Sequence, residues 1–328
     1  MGNGSIRIAA ALSGGGSKGA FQVGVLKGLA DLGVEIDAYA GVSTGAIQAL
    51  AGAVGTPDAL VALENQWRAI RSNRDIYRRK LLPLMSKHDA SPLREKVARY
   101  ARERRLTKPL AVGVVSLQSG EFRMARGEVG QEAGDLVPWV YASCMIPAEY
   151  EPHRVGRIVR GATQWVDGGT RTVTPLKVAA AFHPAGVLMI RAHPKPTVKY
   201  DGRDFWNILD IASRSVDILQ SEVSLDDLAM ADLANGFDEA RRLVGSDLEA
   251  AGVPEPVRQQ VAARLAAFSG ANALVPVLAI SPSFELSMTN TYNRDDIAFA
   301  IDAGRAAVEA RSREILAFAE RCGVRALS

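Results

Sequence analysis

The stretch LSGGGSKGAF, residues 12–21, joins an apolar run to a second run with helical spacing, and three consecutive glycines separate the two. Residues 6–12 are typical of a short buried strand, and residues 20–32 carry apolar side chains at the spacing of a helix. A bare glycine turn between a strand and a helix lets backbone amides approach a negatively charged group closely. The identity of that group is the first question about function.

The next segment repeats the alternation. Residues 36–42 predict a second buried strand, and residues 44–54 predict a second helix rich in small side chains. Strands that alternate with helices are typical of a parallel sheet covered on both faces. The sequence therefore predicts an α/β fold from its first 54 residues.

The remaining segments extend this α/β pattern without an evident linker. Further strands are predicted at 110–117, around 121–125, 163–166, 186–192 and 274–280. Helical spacing covers 57–108 with breaks at Pro83 and Pro92, 204–269 with breaks at Gly245 and Pro254–Pro256, and a long closing helix at 294–321. We therefore predict a single domain over residues 1–328, with helical insertions at about 57–108 and 204–269.

Composition is that of an ordinary globular protein, with 48% hydrophobic and 23% charged residues in 328. The chain has no uninterrupted apolar window of about 18 residues, and its start lacks the basic and apolar segments of a secretory signal. Its two cysteines, Cys144 and Cys322, lack the spacing of metal ligands. These features predict a cytoplasmic protein without a metal site.

The second predicted strand ends in Gly41-Val42-Ser43-Thr44-Gly45. A G-x-S-x-G sequence between a strand and a helix is typical of a nucleophile elbow, a sharp turn that exposes a serine. Parallel strands end at one carboxyl edge of the sheet, so this serine would face the glycine turn of the first strand. We predict that the amides of Gly14, Gly15 and Gly16 hold the oxyanion of an acyl-transfer intermediate.

Two interpretations of the base that activates Ser43 stay open on the residues alone. Asp167 in QWVDGGT, residues 164–170, follows a predicted strand and could act directly if a dry pocket raises its pKa. Alternatively, Ser43 and Asp167 form an α/β-hydrolase triad with His183 or His193. An elbow after only two strands is early for that fold.

A different function is also open for the glycine loop. Gly14, Gly16 and Gly19 fit the dinucleotide-binding pattern G-x-G-x-x-G, with Glu35 or Asp37 near the distance of the ribose-binding acid. The loop is not a Walker A motif, because Gly19 follows Lys18 where Ser or Thr is required. A dinucleotide-binding oxidoreductase and a non-catalytic binding module therefore remain alternatives.

Taken in order, these blocks resemble the patatin-like phospholipase family. The resemblance covers residues 14–19, the elbow at 41–45 and Asp167-Gly168-Gly169, with a weaker fourth block at 142–152. It implies a three-layer α/β/α domain with a mainly parallel central sheet and a Ser43/Asp167 dyad without histidine. It assigns the oxyanion loop to Gly14, Gly15 and Gly16, and supporting roles to Lys18, Gly19, Gly41, Gly45, Gly168 and Gly169.

The resemblance further implies hydrolysis of carboxylic ester bonds in lipids, with no metal or organic cofactor. Phospholipase A, lysophospholipase and general esterase activities are all compatible with it. Two departures concern the acyl pocket: Ala148-Glu149 replace a Gly-plus-apolar pair, and region 204–269 has no assigned counterpart.

Basic residues are concentrated in one region. Residues 68–108 contain 14 Lys or Arg and four Asp or Glu, although the whole chain carries a net charge of only +3. Within 67–85 they alternate with apolar side chains, a pattern typical of an interfacial segment. We therefore predict peripheral contact with an anionic membrane surface through residues 67–105, and no nucleic-acid binding because no reading motif accompanies the charge.

Overall fold

A computed structural model describes residues 6–155, 163–194, 202, 204–271, 274–283 and 291–324. Segment 1–5, part of the start that predicts no secretory signal, lies outside the described residues. The strands are β1 Ile8–Leu12, β2 Ala38–Val42, β3 Arg78–Arg79, β4 His88–Asp89, β5 Leu110–Ser116, β6 Phe122–Gly127, β7 His153–Arg154, β8 Gln164–Asp167, β9 Gly186–Ile190 and β10 Val277–Ile280.

The helices are α1 Gly19–Asp31, α2 Thr44–Val54, α3 Pro57–Arg68, α4 Ser91–Ala101, α5 Val137–Ser143, α6 Leu176–Ala180, α7 Ile208–Ala250, α8 Glu255–Ala271, α9 Arg294–Ala310 and α10 Ser312–Arg321. Each strand predicted from the sequence is present within a few residues of its predicted bounds.

The central sheet has the order β10-β9-β1-β2-β5-β8-β7, and β6 pairs with β5 on its other edge. The five neighbouring strands β10, β9, β1, β2 and β5 are parallel to one another. The strand β8 is antiparallel to β5, and β7 is antiparallel to β8. The predicted, mainly parallel sheet is therefore confirmed.

Helices cover both faces of this sheet, which gives the predicted three layers. Strand β1 divides its side chains between the two faces: Ile8, Ala10 and Leu12 join one apolar cluster, and Ala9 and Ala11 join the other. The first cluster receives α1 to α5, α9 and α10, whereas the second receives α6 and part of α7. Period-two alternation in a fully buried strand therefore places its larger side chains under the thicker helical layer.

The predicted helical regions differ from the structure in three places. Region 57–108 contains a β3–β4 hairpin between α3 and α4, with Pro83 in the hairpin loop. Helix α7 continues through Gly245, because one exposed glycine costs a helix only about 1 kcal/mol. The closing helix divides at Arg311, whose guanidinium donates to the carbonyl of Ala279 on β10 at 2.6 Å.

Helix α7 is the longest element, with 43 residues. The described part of the chain contains no helix whose length and apolar character would suit it to span a membrane.

Candidate active site

The turn that presents Ser43 is built by glycines on either side. Ser43 has φ 56° and ψ −130°, a conformation that costs a non-glycine residue about 1–3 kcal/mol. A Cβ atom on Gly41 would lie 2.3 Å from the carbonyl oxygen of Gly45, and one on Gly45 would lie 2.3 Å from that of Leu12. The G-x-S-x-G pattern is therefore required because backbone contacts backbone at both glycines.

Asp167 reaches Ser43 because two strands meet end to end beside β5. Strand β2 pairs with the first half of β5, with Val42 opposite Gly113, and β8 pairs antiparallel with the second half, with Asp167 opposite Val114. Since β6 occupies the other edge of β5, both strands lie on the same edge and run toward each other. The residues that follow Val42 and Val166 therefore meet, although 124 positions separate them in the sequence.

The side chains of Ser43 and Asp167 form a hydrogen bond in a dry environment. Ser43 is 6% exposed and Asp167 is 1% exposed. Burial raises the pKa of Asp167 to about 7, against the lowering effects of the Ser43 hydroxyl and the Gly169 amide, which donates to Oδ1 at 2.7 Å. A carboxylate with this pKa is a competent base near neutral pH.

Gly168 and Gly169 allow the chain to turn immediately after the carboxylate. A Cβ atom on Gly168 would lie 2.5 Å from the carbonyl oxygen of Gly113, and one on Gly169 would lie 3.0 Å from Oδ1 of Asp167. The D-G-G sequence therefore has the same physical basis as the elbow: backbone packs against β5 and against the carboxylate itself.

Ser143 is a site residue to which sequence reasoning gave no role. Its buried Oγ accepts a hydrogen bond from the Ser43 amide at 2.9 Å and donates one to the Gly113 carbonyl at 2.6 Å. The hydroxyl thus ties the backbone of Ser43 to β5, the strand that also aligns Asp167. The signal for it was the fourth block at 142–152, which carries this serine.

The glycine loop lies against the elbow. A Cβ atom on Gly14 would lie 3.3 Å from Cβ of Ser43, and one on Gly15 would lie 2.5 Å from Cβ of Ala192. The Gly14 amide already donates to the Val173 carbonyl at 2.9 Å, while Gly16 has a positive φ of 56°. The Gly14 amide thus ties the loop to the segment that contains Val173. The amides of Gly15 and Gly16 are the next two in this turn.

Lys18 and Gly19 connect this loop to α1. Lys18 is buried in the short 3-10 turn Gly16–Lys18, and its amide donates to the Gly15 carbonyl at 3.1 Å. A Cβ atom on Gly19 would lie 2.2 Å from Oγ1 of Thr44, the first residue of α2. The motif's last glycine therefore allows the two helix N-termini to approach each other.

A carboxylate on α7 supports the same loop from behind. Asp227 accepts a hydrogen bond from the Thr174 amide at 2.6 Å, next to the Val173 carbonyl that holds Gly14. Burial raises the pKa of Asp227 to about 6, against the amides of Thr174 and Val173 and the charge of Arg191. No local sequence signal marked Asp227, because its partners are distant in the chain.

The two histidines of the alternative triad lie at different edges of the sheet. His183 is exposed and precedes β9, whose first residue Gly186 pairs with Ile8 at the start of β1. It therefore lies at the edge opposite the elbow. His193 follows β9 and lies near Gly15, but Asp167 contacts Ser43 directly, without an imidazole between them.

The acids of the dinucleotide interpretation also lie at the opposite edge. Asp37 precedes β2 and accepts hydrogen bonds from the amides of Arg7 and Ile8 at 2.8 and 3.1 Å. Glu35 pairs with Arg7 and Lys108 on the same side. A ribose-binding acid would have to follow β2, so this geometry does not support a dinucleotide site. Across the described ranges, no group of three or more His, Cys, Asp or Glu side chains is placed to hold a metal ion.

A partly open, apolar pocket reaches Ser43. Its walls are mainly apolar and come from α2, α3, α4 and the segment after α5, including Leu50, Leu63, Val97, Ile146 and Tyr150. Region 57–108 therefore builds much of this pocket.

The apolar side chains of 67–85, predicted to contact a membrane, divide into two groups in the structure. Trp67, Ile70 and Ile76 are buried and line the cavity, whereas Leu81 and Leu82 are exposed. Only the second group is available to a membrane.

The model of the patatin-like phospholipase family matches residues 10–180, more than half of the chain. The chain belongs to this family. The matched range contains the glycine loop, the elbow, Ser143 and the aspartate turn. All the residues that form the site around Ser43 and Asp167 in these patatin-like motifs therefore lie within it. The family is one of lipid acyl hydrolases, which act on ester bonds.

Among solved structures, the patatin-like chain is similar to VipD from Legionella pneumophila at 13% sequence identity and a TM-score of 0.43. The alignment covers 95% of this chain and 67% of VipD. No curated protein matches the sequence.

Proposed function

We propose that this protein is a serine lipid acyl hydrolase that cleaves carboxylic ester bonds of membrane lipids, as a phospholipase A, a lysophospholipase or a related esterase. The observation that carries the proposal is the hydrogen bond between Ser43 and the buried Asp167, whose pKa is raised to about 7. The apolar cavity at Ser43 supports an acyl chain as the bound part of the substrate.

In the first half of the reaction, Asp167 accepts the proton of the Ser43 hydroxyl as Oγ attacks the ester carbonyl. The Gly15 and Gly16 amides stabilise the oxyanion, and the interaction of Gly14 with Val173 holds the loop in place. The intermediate collapses by expelling the alcohol, which takes the proton from Asp167. An ester between the acyl group and Ser43 remains.

In the second half, Asp167 accepts a proton from a water molecule that attacks the acyl-enzyme. Collapse of the second oxyanion breaks the bond to Oγ, and the proton returns to Ser43. A fatty acid and the free enzyme result. One carboxylate thus serves both steps, which needs a pKa close to the working pH.

The first test is hydrolysis of p-nitrophenyl esters and phospholipids, together with labelling by a fluorophosphonate. The wild-type chain should hydrolyse at least one ester class and take the label, and Ser43→Ala should do neither. A folded wild-type protein that takes no label and cleaves no ester would instead be a non-catalytic member with this fold. Labelling that survives in Ser43→Ala would place the nucleophile elsewhere.

The second test separates the dyad from the triad. The His193→Ala variant should retain most activity, as should His183→Ala, which serves as its matched control at the opposite edge of the sheet. A loss in His193→Ala as large as that in Asp167→Asn would favour a histidine base.

The pH–rate profile provides an independent check on Asp167. Because the base acts in its deprotonated form and burial raises its pKa to about 7, kcat/KM should fall about tenfold per pH unit below that value and level off above it. A profile that is flat between pH 5 and 8 would contradict the assignment.

A further inference from the structure

The tip of the β3–β4 hairpin exposes a group of large apolar side chains. Leu81, Leu82, Leu84 and Met85 are 96%, 74%, 88% and 62% exposed. Single exposed apolar residues are common on proteins, but these four lie within five consecutive positions of one loop. Such a patch is typical of a surface that meets another apolar phase.

A second exposed apolar segment lies at the start of α7, which contacts the base of the hairpin through Lys87 and Asp210. Trp206, Ile208 and Ile211, at the start of α7, are 86%, 80% and 50% exposed. These residues and the four of the hairpin tip are called the apolar patch below. Although about 120 positions separate its two parts in sequence, both are attached to the same ion-pair network.

That network centres on Lys87, near the base of the hairpin. Its Nζ lies 2.7 Å from Oδ1 of Asp210 on α7 and 2.9 Å from Oε1 of Glu149. Glu149 also accepts a hydrogen bond from Ser213 of α7 at 2.6 Å, and His88 Nδ1 lies 3.1 Å from its other oxygen. Burial alone would raise the pKa of Glu149, but its partners outweigh burial and lower it to about 2, so it remains charged in this network.

The residue pair Ala148-Glu149, a departure from the family pattern, therefore joins the hairpin to α7. The Ala148 carbonyl accepts the Lys87 amide at 3.0 Å, and the Glu149 carbonyl accepts the His88 amide at 3.0 Å. The two parts of the apolar patch are therefore connected through Lys87 and the Ala148-Glu149 segment.

Cationic side chains stand beside the patch. Arg71 and Arg74 are exposed on the segment that leads into the hairpin, and Arg78 and Arg79 are exposed on its strand β3. Two acids near the hairpin, Glu151 and Asp210, are paired with Lys80 and Lys87, and Asp89 lies opposite Arg78 across the hairpin. An apolar tip next to arginines is complementary to a bilayer with anionic headgroups, because such headgroups lie beside an acyl region.

The base of the hairpin also forms part of the cavity wall. Ile76, two residues before β3, lines the cavity, as does Tyr150. Tyr77 contacts the His88 ring at a centroid distance of 4.4 Å. A membrane that contacts the tip would therefore lie close to the pocket that reaches Ser43.

We propose that the apolar patch is a docking surface for an anionic lipid bilayer. The hairpin tip and the start of α7 enter the headgroup and acyl boundary, and the four arginines contact lipid phosphates. The inference rests on the proposed function, because a lipid hydrolase must reach substrate in a bilayer. Docking itself does not require catalysis.

Trp206 offers a direct measurement of docking. It is 86% exposed, whereas Trp67 and Trp165 are 6% and 7% exposed. When full-length Ser43→Ala protein, which leaves the vesicles intact, is mixed with phosphatidylglycerol/phosphatidylcholine vesicles, tryptophan emission should shift to shorter wavelength and be quenched by brominated lipid. The same protein carrying Trp206→Phe should bind but lose most of that signal. Binding without any change in Trp206 emission would overturn the proposal.

Vesicle partition coefficients test the contributions of the arginines and of the apolar side chains separately. Arg78→Gln with Arg79→Gln should lower partition onto anionic vesicles about 10- to 30-fold, since each basic residue near the surface contributes roughly fivefold. Leu82→Ser with Leu84→Ser should lower it about tenfold or more. The control is Val129→Ser, an apolar residue outside the patch that is 61% exposed, and it should change nothing. Equal losses in the control and the patch variants would refute a specific surface.

Turnover of a soluble ester separates this inference from the proposed function. The leucine and arginine variants should hydrolyse p-nitrophenyl butyrate at the wild-type rate and lose activity only on vesicles. A protein that cleaves soluble ester, but whose patch variants bind vesicles normally, has the proposed function without this docking surface. A protein that docks through the patch and cleaves no ester retains the surface without the function. A wild-type dimer in solution that the leucine variant converts to a monomer, with vesicle binding unchanged, would show that a second copy covers the patch.

Discussion

Glycine has different roles in the segment from β1 to α2, residues 8–54, called the unit below, and in helix α7. In the unit, Gly41, Gly45 and Gly19 sit where an added Cβ atom would lie 2.2–2.3 Å from another atom. In α7, Gly236 and Gly245 have nothing within 4 Å of an added Cβ atom. Glycine is required where another part of the chain packs too closely for a Cβ atom and is incidental in an exposed helix, so only the first group belongs to the site.

The largest effect is expected where this contrast is sharpest. Gly45→Ala should destabilise the fold by about 3 kcal/mol and abolish activity, because the new methyl group would displace the Leu12 backbone and with it the elbow. Gly236→Ala is the control, and it should stabilise the protein by about 0.5–1 kcal/mol through helix propensity. Urea unfolding measures both. Equal tolerance at the two positions would break the comparison.

Burial of the Asp167 carboxylate lowers the stability of the folded protein at neutral pH. Since its pKa rises from 3.8 to about 7 on folding, the folded state binds the proton more tightly, and the favourable contribution present below pH 4 is lost as pH rises to 7. Asp167→Asn should therefore lose activity and gain about 1–3 kcal/mol of unfolding free energy at pH 8. Thermal unfolding at pH 8 and pH 4 tests this, and a gain that is equal at both pH values would contradict the linkage.

Ser143 shows how a single hydroxyl aligns the elbow. Ser143→Ala should lower kcat about 10- to 100-fold with little change in KM, because the Ser43 amide and the Gly113 carbonyl lose their shared partner. Ser116→Ala, which removes a buried hydroxyl of β5 itself, is its matched control and should leave kcat unchanged. A similar loss of kcat in both variants would indicate general loosening of β5.

Asp227 is the exception to the contrast, because here α7 supports the site. Asp227→Ala should lower kcat about tenfold, since the Thr174 amide loses its acceptor and the turn that binds Gly14 loosens. Asp227→Asn keeps an acceptor oxygen and should retain more than half of the activity. Both are measured on a soluble ester at a temperature where circular dichroism shows the fold intact. If the Asn variant is as impaired as the Ala variant, the charge and not the hydrogen bond matters.

The sequence was informative where local chemistry decides structure. The glycine loop, the elbow and the D-G-G turn could be placed on strand ends because each requires glycine where another part of the chain packs too closely for a Cβ atom. The strands were predicted because buried parallel strands are continuous apolar runs. The break expected at Gly245 was wrong because that residue has no packing partner, and local sequence does not report packing.

What the amino-acid sequence alone determined is the α/β alternation and the positions of Ser43 and Asp167, since both depend on periodicity and on turn geometry. Only the tertiary structure decided that β8 runs antiparallel to β5, so that two strand ends meet and the serine and the carboxylate touch. It also decided the roles of Ser143 and Asp227, and the division of 67–85 between cavity wall and exposed tip. The reason is physical: strand direction, burial and the pKa of a carboxylate arise from neighbours that are distant in the chain.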